Sequence, residues 1–178
     1  AYNNNDPIGI EAMKYIKDGN LVSDDITNEI VRLRLSKNDA ENSFLLDGYP
    51  RTVAQAAALD VMLDKMGTKL DAVFNILSSN DVLFERMEQR RVCKSCDTTY
   101  HLKFKIPKKD GICDVCGGTL YQRPDDTLES VKRRLEIYET NTKPLLDYYE
   151  KKGILYHING MQPFDNVYND IELVLSDL

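Results

Sequence analysis

The spacing of the four cysteines constrains the fold more than any other feature of the sequence. Cys93, Cys96, Cys113 and Cys116 form a C-x2-C-x16-C-x2-C pattern and are the only cysteines among the 178 residues. This spacing is typical of tetrahedral zinc sites, although two disulfides or a redox dithiol would also use paired cysteines. Four thiolates complete the coordination sphere, so the predicted Zn²⁺ is structural and offers no position to a substrate. With that set complete, we interpret the nearby His101 as a surface or packing residue.

The beginning of the sequence and the cysteine clustering favour a reducing compartment. Residues 1–6 contain neither a basic segment nor an apolar segment, so they do not resemble a signal peptide. Clustered cysteines without an export signal favour metal binding over disulfides. No apolar run approaches the roughly 20 residues that span a bilayer. We therefore expect a cytoplasmic protein with no membrane partner.

The charge distribution is uneven along the chain. The net charge is −6, yet the segment from Arg86 to Arg134 carries 12 Lys and Arg against 7 Asp and Glu, a net of +5. An acidic protein does not attract nucleic acid as a whole, and aromatic residues are sparse in the basic segment. We expect no nucleic-acid partner.

Apolar periodicity and capping residues predict helices alternating with strands, which is typical of an α/β fold with a parallel, doubly wound sheet. The predicted helices cover residues 7–18, 24–37, 52–66 with a capping box at Thr52 and Gln55, 80–91, 127–152 with a break at Pro144, and 163 to the end. The predicted strands cover 43–47, 72–77 and 154–158, and residues 92–121 form a small β-rich insertion.

The block from Phe44 to Arg51 is a candidate ligand site. Its pattern predicts a buried strand followed by a turn. Ligands bind beyond the carboxyl ends of parallel strands, and Asp47 and Arg51 lie at this end of the predicted strand. A carboxylate there suits water-bridged Mg²⁺, and a guanidinium suits a phosphate. Alternatively, Asp47 caps its own turn and pairs with Arg51.

Arginines flank the cysteine segment on both sides. They are Arg86, Arg90, Arg91, Arg123, Arg133 and Arg134. Arg86 and Arg90 lie four apart in a predicted helix, where like charges repel, and an anion between them would remove that penalty. A solvated basic face is the alternative interpretation.

Together these residues resemble the bacterial adenylate kinases of the long-lid, zinc-containing type, from about Asp6 to the C-terminus. The matching segments are Leu21–Val22 with Ser23–Asp24, residues 44–51, Gln55, Arg90–Arg91, the four cysteines, Arg123 with Asp125–Asp126, and Arg134. The resemblance implies the reaction ATP + AMP ⇌ 2 ADP with Mg²⁺, a P-loop-kinase-like parallel sheet flanked by helices, a zinc-containing lid and a monomer. It divides the chain into partial AMP-binding helices (1–38), core (39–91), lid (92–121) and core (122–178).

The resemblance also implies roles for individual residues. The AMP base would contact the backbone of Asn20, Leu21 and Val22 and the side chain of Gln55, and AMP ribose and phosphate would contact Gly48, Tyr49, Pro50 and Arg51. The ATP site would comprise Arg86, Arg90, Thr99, Tyr100 and Gln162, with Arg123 and Arg134 clamping the phosphates of both nucleotides. Asp47 would organise water around Mg²⁺, and Asp125 and Asp126 would latch the lid. We also expect a cis Tyr49–Pro50 bond, because X-Pro bonds tolerate cis in sharp turns.

One departure from the family concerns the phosphate-binding loop. None of the nine glycines is followed by Lys, so the sequence contains no G-x-x-x-x-G-K-[ST] motif. We expect an N-terminally truncated chain that lacks the first strands of the core and has weak activity or none. The alternatives are a nucleoside monophosphate kinase acting on UMP or CMP, and a non-catalytic zinc-ribbon binding module.

Overall fold

The computed structural model describes residues 8–11, 22–124 and 126–178. In chain order the helices are α1 (Asp24–Leu35), α2 (Val53–Met66), α3 (Asn80–Glu88), α4 (Leu128–Ile137), α5 (Pro144–Glu150) and α6 (Phe164–Ser176). The strands are β1 (Val73–Leu77), β2 (Arg90–Cys93), β3 (Thr99–His101), β4 (Leu120–Tyr121) and β5 (Leu155–Asn159). Residues 8–11 are helical, while the rest of the helix predicted over 7–18 lies outside the described residues.

The chain divides into two compact units. The first comprises Ala1–Asp71 with Asn141–Ile154, and the second comprises Ala72–Thr140 with Leu155–Leu178. The first unit therefore holds α1, α2 and α5, and the second holds every described strand together with α3, α4 and α6.

The helices of the first unit begin and end as their capping residues predict. Ser23 Oγ accepts a hydrogen bond from the backbone N–H of Ile26, and Thr52 Oγ1 accepts one from that of Gln55. Helix α2 ends at Met66, and its C-cap Gly67 has a φ of +69°. These contacts confirm the predicted helix over 52–66 and the start of the helix at 24, which ends at Leu35.

The core of the first unit lies between α1 and α2. Leu35, Leu59 and Leu63 are buried with Ala40, and the half-buried Phe44 and Leu46 pack against them. Each buried leucine contributes roughly 1.5–3 kcal/mol through removal of apolar surface from water. This unit is thus stabilised mainly by hydrophobic packing.

The strand predicted over residues 43–47 is wrong. Residues 43–46 have no regular structure, although Phe44 and Leu46 face the core while Leu45 is 87% exposed. The side chains therefore alternate between core and solvent, although the apolar run was predicted to be a fully buried strand. A strand is defined by hydrogen bonds to a neighbour, and no other described segment forms a ladder with these residues.

The second unit contains two sheets. Strands β1 and β5 pair in parallel with Val73 opposite Leu155 and Leu77 opposite Asn159. The parallel strands and flanking helices confirm the α/β fold. Residues 90–121 form a second, antiparallel sheet in the order β3-β2-β4, which confirms the β-rich insertion. We call residues 90–121 the cysteine hairpin.

The helix predicted over 80–91 is too long. Helix α3 ends at Glu88, and Arg90 begins β2, where it lies opposite His101. Pairing with two distant strands outweighs the local helical pattern in these residues. Arg86 and Arg90 therefore do not share a helix face, and the repulsion predicted between them does not arise.

The last predicted elements are present with small differences. The helix predicted over 127–152 is interrupted by a π-helical segment at Tyr138–Thr142 before Pro144 begins α5. Pro163 is the N-cap of α6, and the strand predicted over 154–158 is β5, one residue later. Among the described residues, no helix has both the length and the apolar character needed to cross a membrane.

Candidate nucleotide-binding site and metal centre

The four cysteine sulfurs converge at one point in the cysteine hairpin. All four Sγ atoms lie within 4.8 Å of one another, with 3.4 Å between Cys93 and Cys116 and 3.6 Å between Cys96 and Cys113. Sulfurs bound tetrahedrally at about 2.3 Å from zinc lie about 3.8 Å apart, whereas a disulfide is about 2.05 Å long. The distances fit a metal ion coordinated by four thiolates and do not fit disulfides.

Each cysteine pair lies on a tight turn of the same kind. The backbone N–H of Asp97 donates to the carbonyl of Cys93, and that of Gly117 donates to the carbonyl of Cys113. Asp97 and Gly117 occupy equivalent positions and both have positive φ, +57° and +72°. At Gly118 a Cβ would lie 2.9 Å from Cys93 Sγ, so only glycine permits this approach.

Tyr100 supports the cysteine cluster from inside the hairpin. It is 3% exposed, and its hydroxyl oxygen accepts a hydrogen bond of 2.7 Å from the backbone N–H of Asp114. The hydroxyl hydrogen is therefore available to Cys113 Sγ, 3.5 Å away. This hydrogen bond lowers the pKa of Cys113 to about 6 and favours the thiolate form that binds metal.

His101 does not join the sulfur cluster. Its Nδ1 accepts hydrogen bonds from the backbone N–H groups of Lys103 and Phe104, and its ring stacks on Phe104. Burial lowers its pKa, so the ring stays neutral at neutral pH. The structure agrees with the interpretation of His101 as a packing residue.

A buried ion pair ties the base of the cysteine hairpin to the chain that follows it. Arg90 donates from Nε to Asp126 Oδ2 at 2.9 Å and from Nη2 to the other carboxylate oxygen. The Asp126 side chain is fully buried and that of Arg90 is 25% exposed. Gln122 Nε2 lies within hydrogen-bond distance of the carbonyls of Asp126 and Glu88, which brings both ends of the hairpin together.

Arg86 lies at the carboxyl end of the parallel strands. Its Nη2 donates to the carbonyl of Gly160 at 2.8 Å, just after β5. The Gly160 N–H in turn donates to the carbonyl of Leu77 at the end of β1. The structure thus brings Arg86 beside the loop that carries Gln162, so two predicted ATP-binding residues lie near each other.

The turn from Gly48 to Arg51 is ordered by its own hydrogen bonds. Gly48 has a φ of +71°, and the Tyr49–Pro50 bond is cis, as predicted. Arg51 Nε donates to the carbonyl of Gly48 at 2.7 Å, and Tyr49 donates its hydroxyl to Asn28 Oδ1 at 2.6 Å. Burial raises the pKa of Tyr49 to about 12, so this hydroxyl stays a donor.

Gln55 links this turn to α1. The side chain is buried, its Oε1 accepts from the backbone N–H of Arg51, and its Nε2 donates to Asp24 Oδ1, both at 2.7 Å. The capping box predicted at Thr52 is therefore half realised. Its second hydrogen bond goes to the N–H of Arg51 instead of Thr52.

Comparison with known proteins decides the family. The family model described as adenylate kinase matches residues 1–154. An adenylate kinase of Bacillus subtilis is 52% identical over 172 residues, covering 97% of this chain and 79% of the relative. An adenylate kinase of Geobacillus sp. is 51% identical over 172 residues, covering 97% of this chain and 80% of the relative. One from Carboxydothermus hydrogenoformans is 48% identical over 175 residues, covering 98% of this chain and 82% of the relative.

The chain belongs to the adenylate kinase family. It is therefore a phosphotransferase of the nucleoside monophosphate kinase class, and the predicted resemblance is confirmed. The four clustered cysteines fit the zinc-containing lid expected of this type of adenylate kinase.

The site residues implied by the family fall into two groups in the structure. The first unit holds Asp47, implied for the Mg²⁺ water shell, and the described residues implied for AMP that precede the lid, namely Val22, Gly48, Tyr49, Pro50, Arg51 and Gln55. The second unit holds Arg86, Arg90, Thr99, Tyr100, Arg123, Asp126, Arg134 and Gln162. Arg123 and Arg134 are exposed, and Asn20, Leu21 and Asp125 lie outside the described residues.

Two supporting contacts were not predicted from the sequence. Asp24 was assigned no contact from the sequence, yet its carboxylate accepts a hydrogen bond from Gln55, 31 positions away. Tyr100 was assigned to ATP, but its side chain is directed into the sulfur cluster. No local sequence signal reveals either contact, because each depends on segments brought together by folding.

Proposed function

We propose that this protein catalyses the reversible reaction ATP + AMP ⇌ 2 ADP with Mg²⁺. Identity of 52% with an adenylate kinase over 97% of the chain carries the proposal. The ordered Gly48–Arg51 turn and the arginines of the second unit support it, because phosphoryl transfer depends mainly on positioning and neutralisation of charge.

The AMP side lies in the first unit. Arg51 binds the AMP phosphate, and the rest of the Gly48–Arg51 turn holds the ribose side. Gln55 and the backbone at Asn20, Leu21 and Val22 bind the base. Asp47 is exposed at the start of the turn, where its carboxylate is accessible to the water shell of Mg²⁺.

The ATP side lies in the second unit. Arg86 and the backbone at Gln162 hold the base, and Thr99 with the backbone of Tyr100 covers the nucleotide. Arg90, Arg123 and Arg134 neutralise the phosphates. Asp126 neutralises Arg90 when no phosphate is present, since a half-buried guanidinium without a counter-charge is costly.

Zinc holds the cysteine hairpin together and takes no part in the chemistry. Cys93, Cys96, Cys113 and Cys116 occupy all four positions of a tetrahedral ion, which stabilises a segment with few large apolar side chains. Residues 92–121 act as the lid over ATP, and Asp125 with Asp126 latch it. A reducing cytoplasm keeps the four thiols available for metal, and the protein acts as a monomer.

The absence of a phosphate-loop motif from these 178 residues determines the rate expected of them. The 178 residues contain no G-x-x-x-x-G-K-[ST] sequence, so nothing in them supplies that cradle for the ATP phosphates. Positioning contributes roughly 7–11 kcal/mol to such reactions, and losing half of it slows turnover by roughly 10³ to 10⁴. These residues alone should therefore form ADP very slowly.

The test measures ADP formation and nucleotide binding in parallel. The 178-residue chain should bind AMP and a dinucleotide that joins both substrates, and fusion to a strand and phosphate loop should restore rapid ADP formation. In the fused protein Arg90→Ala and Arg123→Ala should abolish most activity, whereas Arg133→Ala, an exposed arginine with no assigned role, should not. Failure to bind the dinucleotide would favour a zinc-ribbon binding module, and preference for UMP or CMP would assign a different kinase.

A further inference from the structure

Asp24 uses both carboxylate oxygens to contact residues at the start of α2. Its Oδ1 accepts the hydrogen bond from Gln55 Nε2, and its Oδ2 accepts one of 3.1 Å from Thr52 Oγ1. The Thr52 hydroxyl is itself held, because it accepts from the backbone N–H of Gln55 at 3.1 Å. The carboxylate is therefore anchored at two points and cannot rotate without breaking one of them.

These contacts determine which way the Gln55 carboxamide faces. The backbone N–H of Arg51 can only donate, so the Gln55 atom beside it must be the oxygen. The carboxylate of Asp24 can only accept, so the atom beside it must be the nitrogen. Rotating the carboxamide by 180° would oppose two donors at Arg51 and two acceptors at Asp24.

We propose that Asp24 is a positioning residue that makes the site select a 6-aminopurine over a 6-oxopurine. The inference rests on the proposed function, in which Gln55 faces the base of the acceptor nucleotide. After its two internal contacts, a carboxamide has one N–H and one oxygen lone pair left to offer a ligand. Adenine supplies the complementary pair, an acceptor at N1 and a donor at its amino group.

The locked orientation accounts for discrimination against the 6-oxo bases. Hypoxanthine and guanine carry a donor at N1 and an acceptor at O6, so they require the opposite orientation of the carboxamide. A free glutamine would rotate and accept either class. With Asp24 and the Arg51 N–H in place, rotation is unfavourable and a 6-oxopurine leaves buried polar groups unpaired.

Asp25 provides a matched control for Asp24. The two acids are adjacent in the first turn of α1, so both interact with the helix dipole. Asp25 is exposed, whereas Asp24 is half-buried against Thr52 and Gln55. An effect that appears in Asp24→Ala but not in Asp25→Ala therefore arises from the contacts with α2 and not from charge at the helix end.

The experiment compares binding of AMP and IMP, which differ at N1 and at the 6-substituent. Calorimetry on the 178-residue chain should show tighter binding of AMP. In Asp24→Ala the ratio of the two dissociation constants should shrink by roughly tenfold, since a bidentate contact to one base contributes at least this much discrimination. Asp25→Ala should keep the ratio of the unmodified protein.

A second readout follows the glutamine itself. In nuclear magnetic resonance spectra of the unmodified protein, the two side-chain N–H protons of Gln55 should have well-separated chemical shifts. In Asp24→Ala the difference between these two shifts should decrease. In the protein carrying a phosphate loop, Asp24→Ala should raise KM for AMP with little change in kcat. A structural defect alone would lower the folded fraction without changing the AMP-to-IMP ratio.

Two outcomes distinguish failure of this inference from failure of the proposed function. Strong AMP binding with an unchanged AMP-to-IMP ratio in Asp24→Ala would overturn the role of Asp24 alone. If the unmodified chain binds neither nucleotide, the proposed function itself fails. Should Asp24→Ala not fold, Thr52→Val removes the second anchor and keeps the volume, and it should reduce the same ratio by a smaller factor.

Discussion

The cysteine hairpin and the helical first unit are stabilised in opposite ways. In the hairpin, the buried cluster consists of Cys93, Tyr100 and Cys113 with Leu120 packed against it. In the first unit, Leu35, Leu59, Leu63 and Ala40 form an apolar core with five further side chains around it. One region depends on convergent sulfurs and the other on distributed packing, so single changes should affect them very differently.

This difference follows from the size of each region. A segment of about 30 residues buries too little apolar surface to offset the entropy of ordering its backbone, so it needs a metal or disulfides. Two longer helices that pack through a shared apolar face need neither a metal nor disulfides. We therefore expect the cysteine hairpin to unfold when zinc is removed, while the first unit keeps its structure.

The largest effect is expected from Cys113→Ser. Structural zinc contributes roughly 10–16 kcal/mol of binding free energy, and losing one thiolate removes most of it. Zinc content should fall from one ion per chain towards none, and amide protection should disappear across residues 90–121 while it persists in α1 and α2. Metal analysis and hydrogen exchange measure both.

Ser95→Ala is the control for this prediction. Ser95 is exposed between Cys93 and Cys96, and its contact with Cys93 Sγ is made by the backbone N–H, which alanine retains. This variant should keep both zinc and protection. A protected hairpin in zinc-free Cys113→Ser would show that packing alone stabilises the segment.

The next largest effect is expected in the first unit from Leu59→Ala. Leu59 is fully buried between helices, so the substitution leaves a cavity and should lower the free energy of unfolding of this unit by about 2–5 kcal/mol. Zinc content should not change. Urea unfolding followed by circular dichroism measures the loss.

Val61→Ala on the same helix is the matched control, because Val61 is 53% exposed. It should cost much less than Leu59→Ala. Equal losses from the two variants would mean that packing at Leu59 does not stabilise this unit in the way described.

A smaller effect is expected from Tyr100→Phe in the hairpin. The change removes the hydroxyl that joins the Asp114 N–H to Cys113 Sγ and leaves a partly buried donor unpaired, at a cost of roughly 1 kcal/mol. The variant should lose zinc to a competing chelator roughly tenfold faster than the unmodified protein does. Tyr121→Phe changes a half-buried tyrosine of the same hairpin and should leave the rate unaltered. Identical release rates in all three proteins would contradict the role of Tyr100.

The smallest effect is expected from Gly67→Ala at the end of α2. No atom lies within 4 Å of the added Cβ, so only the backbone conformation at φ +69° is penalised. The free energy of unfolding should fall by about 1 kcal/mol, and less for Gly67→Asn, since asparagine adopts this conformation more readily. Denaturant titration checks the order, and a stabilised alanine variant would be inconsistent with it.

Local signals predicted much of the fold. The caps at Ser23, Thr52 and Gly67 and the cysteine spacing each act within a few residues, so they are readable from the sequence and are present in the structure. The end of α3 and the lack of a strand at 43–47 were not predictable in this way. Both depend on whether a partner strand is available, and no window of neighbouring residues contains that information.

The family, the cysteine cluster and the arginines around it can be read from the sequence, because they depend on residue type and spacing. The contacts of those groups, in contrast, follow from the fold. It paired Arg90 with Asp126, directed Tyr100 to Cys113 and placed Asp24 against Gln55. A hydrogen bond needs its donor and acceptor within about 3 Å, and residues separated by 13 to 36 positions reach that distance only when the chain folds.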